Sequence, residues 1–238
     1  MISALTPETL GYAFLGGILP VLVWLYFLLK EDARCPEPRP LLFLAFMTGM
    51  LAVIVVLPIE TFMTTLFGGG VPLIVAWATV EEVTKYALAA ALILWRKSVD
   101  ESLDLVVYML TVALGFAALE NVLFLLTPFA DGHFLAGIVT NNLRFVGSTL
   151  LHVIASSAIG FALAFSFNWH KALRTIATTV GLILAIALHA VFNFFIIEQE
   201  GSQTIYAFFI VWIGIVVFFA LFELLRYFRY RNLPKNIC

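Results

Sequence analysis

Residues 103–127 read LDLVVYMLTVALGFAALENVLFLLT, a run whose ionisable side chains are Asp104 near its start and Glu120 near its end, apart from the phenol of Tyr108. At 1.5 Å per residue a helix of this length crosses a hydrocarbon core of ~30 Å. A soluble helix would interrupt the run with polar residues on one face every three or four positions. Working outward, apolar runs of similar length occupy residues 8–29, 41–67 and 71–95 on one side and 142–167, 175–197 and 204–227 on the other. Of the 238 residues 63% are hydrophobic and 12% charged, against about a quarter charged in an average soluble domain. The chain is therefore expected to be all-α: a polytopic membrane bundle of seven helices, one membrane-embedded domain over residues 1–238. With a net charge of −2 and no block of like charges, nothing points to nucleic acid. The N-terminus lacks a basic n-region and a small-residue cleavage site, so its first apolar run reads as a permanent anchor. Cys35, in a charged connector, and Cys238, the last residue, have no metal-site spacing.

Cytoplasmic connectors carry an excess of Lys and Arg, and here the basic residues alternate. Lys30, Arg34 and Arg39 fall in the first connector, Arg96 and Lys97 in the third, Lys171 and Arg174 in the fifth, and Arg226, Arg229, Arg231 and Lys235 at the C-terminus. The second, fourth and sixth connectors, the fourth being Pro128–Asn141, have none. The alternation predicts an odd number of crossings, with the N-terminus outside and the C-terminus cytoplasmic.

Ionisable groups remain inside the spans, where each costs from ~2.5 to more than 10 kcal/mol unless paired or hydrated. The third span contains Glu81-Glu82-Val83-Thr84-Lys85 and the fourth Phe116-Ala117-Ala118-Leu119-Glu120-Asn121. The fifth carries Arg144, Ser148, His152 and Ser156, stepping by four along one helix face, and the sixth His189 and Asn193, also four apart. Glu81 and Lys85 share a face, while Glu82 is turned by about 100° from Glu81. Measured from the outer end of each span, Glu81 and His152 lie about 15 Å deep and Glu120 and His189 about 10 to 12 Å deep. Four polar groups from four helices thus fall in one layer in the outer half of the membrane. A hydrogen-bonded structural network explains a lone polar residue in lipid, but so many titratable groups at one depth favour function. Isolated residues such as Glu8, Glu60, Glu223, His133 and His170 read as helix-end or connector positions.

Carboxylates and imidazoles around a wet pocket suit hydrolysis, a Glu taking a proton from water while His or Asn stabilises the oxyanion. His152, His189 and Glu120 also form a His2Glu set of the kind that holds catalytic zinc. No HExxH motif is present, so spacing leaves the metal question open. A Ser148–His152 pair lacks a third orienting acid, which weakens serine chemistry. A proton- or ion-coupled transporter is the competing class, since it too buries Glu, Lys and His near the midplane, but no duplicated half is evident here.

In their order along four successive spans, Glu81-Glu82-x-x-Lys85, Phe116-x-x-x-Glu120-Asn121, Arg144 to His152, and His189-x-x-x-Asn193 resemble the PrsW family of intramembrane proteases, within the wider CAAX-protease and bacteriocin-processing group. The resemblance covers about residues 77–195 and places a catalytic core at about 71–197. It implies hydrolysis of a peptide bond in a membrane-anchored protein, with Glu81 as base, Glu82 assisting, and Glu120, His152, His189 and Asn193 around it. Lys85, Asn121, Arg144 and Ser148 are the supporting residues. CAAX prenyl endopeptidases have Arg and His where Lys85 and Glu120 end the first two motifs, which favours the PrsW branch over prenyl-protein processing. Members of that branch are classed as metalloproteases and relatives as metal-free glutamate proteases, and the best-known substrate is a single-pass anti-sigma factor cut on its outer side.

Overall fold

The computed structural model describes residues 6–31, 36–198 and 203–231, and the elements among them are helices. They run α1 (Pro7–Glu31), α2 (Arg39–Phe67), α3 (Gly70–Ala89), α4 (Ser102–Ala130), α5 (Phe134–Val146), α6 (Ser148–Phe165), α7 (Lys171–Asn193) and α8 (Thr204–Tyr230). Helix α3 continues into a π-helical turn, Ala90–Leu94, and α7 into another, Phe194–Glu198. Cys35, Cys238, Arg34 and Lys235 lie outside the described residues.

Among the described residues, six helical stretches are long and apolar enough to cross a membrane: α1, α2, α4, the α5–α6 pair, α7 and α8. Helix α3 with its π turn is of comparable length but carries Glu81, Glu82 and Lys85 within one turn and a half. The expected connector Pro128–Asn141 is mostly helical instead. Helix α4 runs through Pro128 to Ala130, a turn at Gly132 with φ 74° reverses the chain, and α5 starts at Phe134. Gly132 adopts a left-handed conformation that a side chain would strain, and this allows so short a reversal. The expected single span 142–167 is interrupted at Gly147, where a Cβ would lie 2.9 Å from both the Leu143 carbonyl and the Phe208 ring.

Helix α4 is the axis of the bundle. It packs against α1, α2 and α6, while α7 packs on α6 and α3, and α8 on α6. The reason is compositional: α4 is apolar on all sides, as a helix surrounded by other helices must be, and most of it is buried. Helices α1 and α8 instead expose Leu15, Tyr26, Phe209 and Val216 on their outer faces, where hydrocarbon replaces water as solvent.

Close backbone approach holds α2 to α4. A Cβ added to Gly115 would lie 2.0 Å from the Phe46 carbonyl oxygen, and one added to Gly49 the same distance from that of Val112. Small residues permit such contacts between membrane helices. Gly115→Ala is expected to destabilise the bundle by about 1–3 kcal/mol or more, the cost of overpacking a rigid contact, and thermal unfolding in detergent measures it. The contact matters to the site because the next residue, Phe116, and then Glu120 are carried on the same helix.

Candidate active site

Helix α3 places Glu81, Glu82 and Lys85 against α6 and α7, and the Lys85 ammonium is fully buried. Its Nζ donates to Glu81 Oε2 at 3.2 Å, to Glu82 Oε1 at 2.8 Å and to His152 Nδ1 at 2.9 Å. The Phe116 ring lies below it, 3.8 Å from Nζ to the ring centroid. Three acceptors and an aromatic face thus replace water around the charge. Because an ammonium can only donate, Nδ1 of His152 must accept, and the imidazole proton sits on Nε2. That proton is given to Glu120 Oε2 at 3.0 Å.

Glu82 is enclosed and saturated. Beyond Lys85, its Oε1 accepts from His189 Nδ1 at 2.9 Å and its Oε2 from Ser156 Oγ at 2.9 Å. With Nδ1 donating, His189 presents Nε2 to Glu81, 3.8 Å from Oε1. Glu81 therefore has one oxygen tied to Lys85 and the other near an imidazole nitrogen, on the wall of a cavity.

That cavity has a volume of about 390 Å³ and is bounded by α2, α3 and α4. Glu60, Glu81 and Glu120 supply its polar wall and Val53, Phe116 and Phe124 part of its apolar one. The Arg144 guanidinium holds two residues of this wall: it pairs with Glu120 and stacks on Phe124, and it donates from Nε to Asn121 Oδ1 at 2.7 Å and from Nη2 to Ser148 Oγ at 3.1 Å. Asn121 passes the chain on to Thr149 Oγ1 at 3.1 Å. Lysine cannot reproduce a forked, stacked contact of this kind. Arg144→Lys and Arg144→Gln are both expected to lower stability by about 1–3 kcal/mol, the cost of leaving a buried acceptor unpaired, with Tm as the readout.

Glu81, Glu82, Lys85, Glu120, Asn121, Arg144, Ser148, His152, Ser156 and His189 are thus joined in one network. Arg144, Ser148, His152 and Ser156 keep their common face across the break at Gly147. Asn193 is not brought in: it lies one turn beyond His189, half-buried, without a hydrogen bond to the cluster. Glu60 is the residue that sequence reading passed over. It sits on α2 in the same cavity as Glu81 and Glu120, and its backbone carbonyl accepts from Trp77 Nε1 of α3 at 3.3 Å. Seven residues before the end of α2, it is about 10 Å from that helix terminus, so the depth measure applied to α3, α4, α6 and α7 would have found it. His170, expected to be a connector residue, caps α7 by accepting from the Ala172 amide at 3.3 Å.

One oxygen or nitrogen from each of Glu81, Glu82, His152 and His189 lies within 4.8 Å of the other three, so this buried group could hold a metal ion. Two carboxylates and two imidazoles suit a divalent ion of the zinc type. The Lys85 ammonium, bonded to three of these four residues, already supplies a cation to the same donors. The donor set fits a metal on condition that Lys85 withdraws.

The described residues form a helical membrane bundle, and a buried carboxylate–imidazole cluster beside a cavity is the arrangement a membrane-embedded hydrolase needs. The family model described as PrsW family intramembrane metalloprotease matches residues 37–222, and the chain belongs to that family. It is 28% identical to Protease PrsW of Clostridioides difficile (strain 630) over 193 residues, 78% of this chain and 79% of that one. It is 26% identical to Protease PrsW of Oceanobacillus iheyensis over 209 residues, 87% and 93% of the two chains, and 27% identical to Protease PrsW of Bacillus subtilis over 183 residues, 75% and 80%. No solved structure matches it. The protein is a multi-pass intramembrane protease whose family implies a membrane-protein substrate.

Proposed function

We propose that the cluster hydrolyses a peptide bond of a membrane-anchored protein in the outer half of the bilayer, with Glu81 as general base. The observation that carries this is the division of labour between the two adjacent glutamates. Glu82 is wholly enclosed by Lys85, His189 and Ser156, whereas Glu81 keeps one oxygen on the cavity wall. Glu82 is then a positioning residue: it fixes the His189 tautomer with Nε2 turned toward Glu81. His152, with both nitrogens engaged by Lys85 and Glu120, is another.

In this reading Glu81 takes a proton from water as the oxygen adds to the scissile carbonyl carbon. The proton passes by way of Glu81 or His189 to the leaving amide nitrogen, the C–N bond breaks, and a carboxylic acid and an amine separate. Arg144, with 14% of its side chain exposed while Lys85 has none, is the cation open to a developing oxyanion. Should Lys85 withdraw, Glu81, Glu82, His152 and His189 would hold a divalent ion, with zinc as the metal the donor set suits. Such an ion would supply Lewis-acid polarisation of the carbonyl.

Helix α3 is in this reading the seventh crossing, its three charges satisfied by one another and by α4, α6 and α7, with the N-terminus outside and the C-terminus cytoplasmic. The chain then works as one domain with its catalytic core at about 71–197. The loop charges put the cluster in the outer half, which suits an outward cut, and the single-pass anti-sigma factor implied by the family resemblance is a substrate of the right kind. Reconstituted protein given a fluorescent single-span peptide tests the function. Cleavage by the wild type that is lost in Glu81→Gln and His189→Ala supports the protease, and ion or solute uptake lost in the same variants without cleavage would replace it with a transporter.

A further inference from the structure

Further along α3 toward its C-terminus, from Tyr86 onward, a second cavity of about 410 Å³ opens between α3, α6 and α7. Its length follows from the residues that line it. On α7 they run from Lys171 to Leu182, a rise of about 16 Å, and along α3 and its π turn from Tyr86 to Trp95, just past the turn, a rise of about 13 Å. One end is basic: Lys171 and Arg174 line it, and neither is paired with a carboxylate among the described residues. The other end is mainly apolar, walled by Leu163 and Leu182 with the ring of Tyr86 on the α3 side. Between them Thr175, Thr178 and Thr179 donate their hydroxyls to carbonyls one turn back on α7, so they hold no hydrogen for a ligand. The α3 wall includes Ala90 and Leu94 of the π-helical turn, a backbone irregularity that recurs at functional sites. Trp95, at the basic end, is 77% exposed, as an aromatic side chain at a membrane interface is.

We propose that this slot is a binding site for an anionic phospholipid of the cytoplasmic leaflet, its phosphate held by Lys171 and Arg174 and an acyl chain lying between α3 and α7 toward Leu163 and Leu182. The slot has the polarity of such a lipid along its length, charged at the interface and apolar at depth. The loop charges put its basic end on the cytoplasmic side, where anionic headgroups are concentrated and basic pockets between helices bind them. The apolar end stops beside the catalytic helices: Tyr86 follows Lys85, and Leu182 is two turns from His189. A lipid seated here bridges α3 and α7, the two helices whose contact joins Glu82 to His189.

Native mass spectrometry of the full-length protein, offered phosphatidylglycerol and phosphatidylcholine in equal amounts, tests the site by lipid retention, a readout that does not depend on proteolysis. The wild type is expected to retain phosphatidylglycerol with a preference of about tenfold or more, given two basic contacts. K171Q/R174Q is expected to lose that preference, and Thr179→Trp, which fills the slot without changing charge, to lose the bound lipid. K30Q/R39Q removes the same charge elsewhere on the same membrane side and is expected to keep the preference. Equal retention of both lipids by the wild type, or an undiminished preference in K171Q/R174Q, would overturn the site. Displacement of phosphatidylglycerol by millimolar inorganic phosphate would overturn it too, since the slot would then be a phosphate site with no role for the acyl chain.

Discussion

Glu81→Gln is expected to lower the rate of peptide cleavage by about 10²- to 10⁴-fold, the range over which a positioned general base contributes, while the folded bundle persists. Glutamine keeps the volume of glutamate and still offers an oxygen to the Lys85 ammonium, so the hydrogen bond at 3.2 Å has a substitute. What it cannot do is accept a proton from water. Glu82→Gln differs in kind. Its carboxylate joins α3, α6 and α7 through Lys85, Ser156 and His189, and losing its charge leaves Lys85 and His189 with a poorer acceptor. For Glu82→Gln, activity and Tm should fall together; for Glu81→Gln, activity should fall alone. Parallel cleavage assays and thermal melts of the two variants read this contrast, and equal melts with equal activities would remove it.

The second large effect concerns Lys85. Lys85→Met removes the cation that Glu81, Glu82 and His152 share, leaving two adjacent buried carboxylates without their partner. Breaking a buried pair in this way costs about 3–5 kcal/mol, a large share of the roughly 5–15 kcal/mol that holds an ordinary protein folded. The same four-residue donor set is then open to a divalent ion, its atoms still within 4.8 Å of one another. The variant should therefore melt early in chelator and recover with added Zn²⁺, by about 2.7 kcal/mol at a hundredfold excess over Kd. The wild type, whose ammonium holds the donors, should respond far less. A wild-type preparation that carries one tightly bound metal ion, lost in Glu82→Gln, would reverse this prediction and make the ion the resident cation.

The parts of the structure that the sequence makes legible are those with a strong physical signal. Apolar runs marked the helices because a bilayer leaves few alternatives to a helix. The polar layer is visible because every ionisable residue in lipid needs a partner, and Glu81, Glu120, His152 and His189, which the sequence puts at similar depths, meet in one network that also takes in Glu82. The four-residue step from Arg144 to Ser156 survives a break in the helix at Gly147 that the step itself conceals. Other features have no one-dimensional signature. The Pro128–Asn141 stretch looked like a connector because proline and polar residues punctuate it, yet Pro128 is tolerated near the end of α4 and the reversal needs only the turn at Gly132. Asn193 shares a helical face with His189, but sharing a face does not guarantee sharing a partner. Glu60 stands alone in α2 with no motif around it, so only its depth, about two turns from the helix end, marks it in the sequence; the packing of α2 on α4 through Gly49 and Gly115 then sets it beside Glu81 and Glu120.

Cleavage mapping in a bilayer is the most direct test of whether the Glu81–His189 pair cuts peptide bonds within the membrane. Wild-type protein, Glu81→Gln and His189→Ala are each reconstituted with a single-span peptide, and the products are sequenced by mass spectrometry in H₂¹⁸O. The prediction is one new carboxyl terminus carrying the ¹⁸O label, at a bond in the outer half of the peptide's hydrophobic segment, made by the wild type and by neither variant. The same product from Glu81→Gln at an undiminished rate, or a cut confined to residues outside the bilayer, would contradict it.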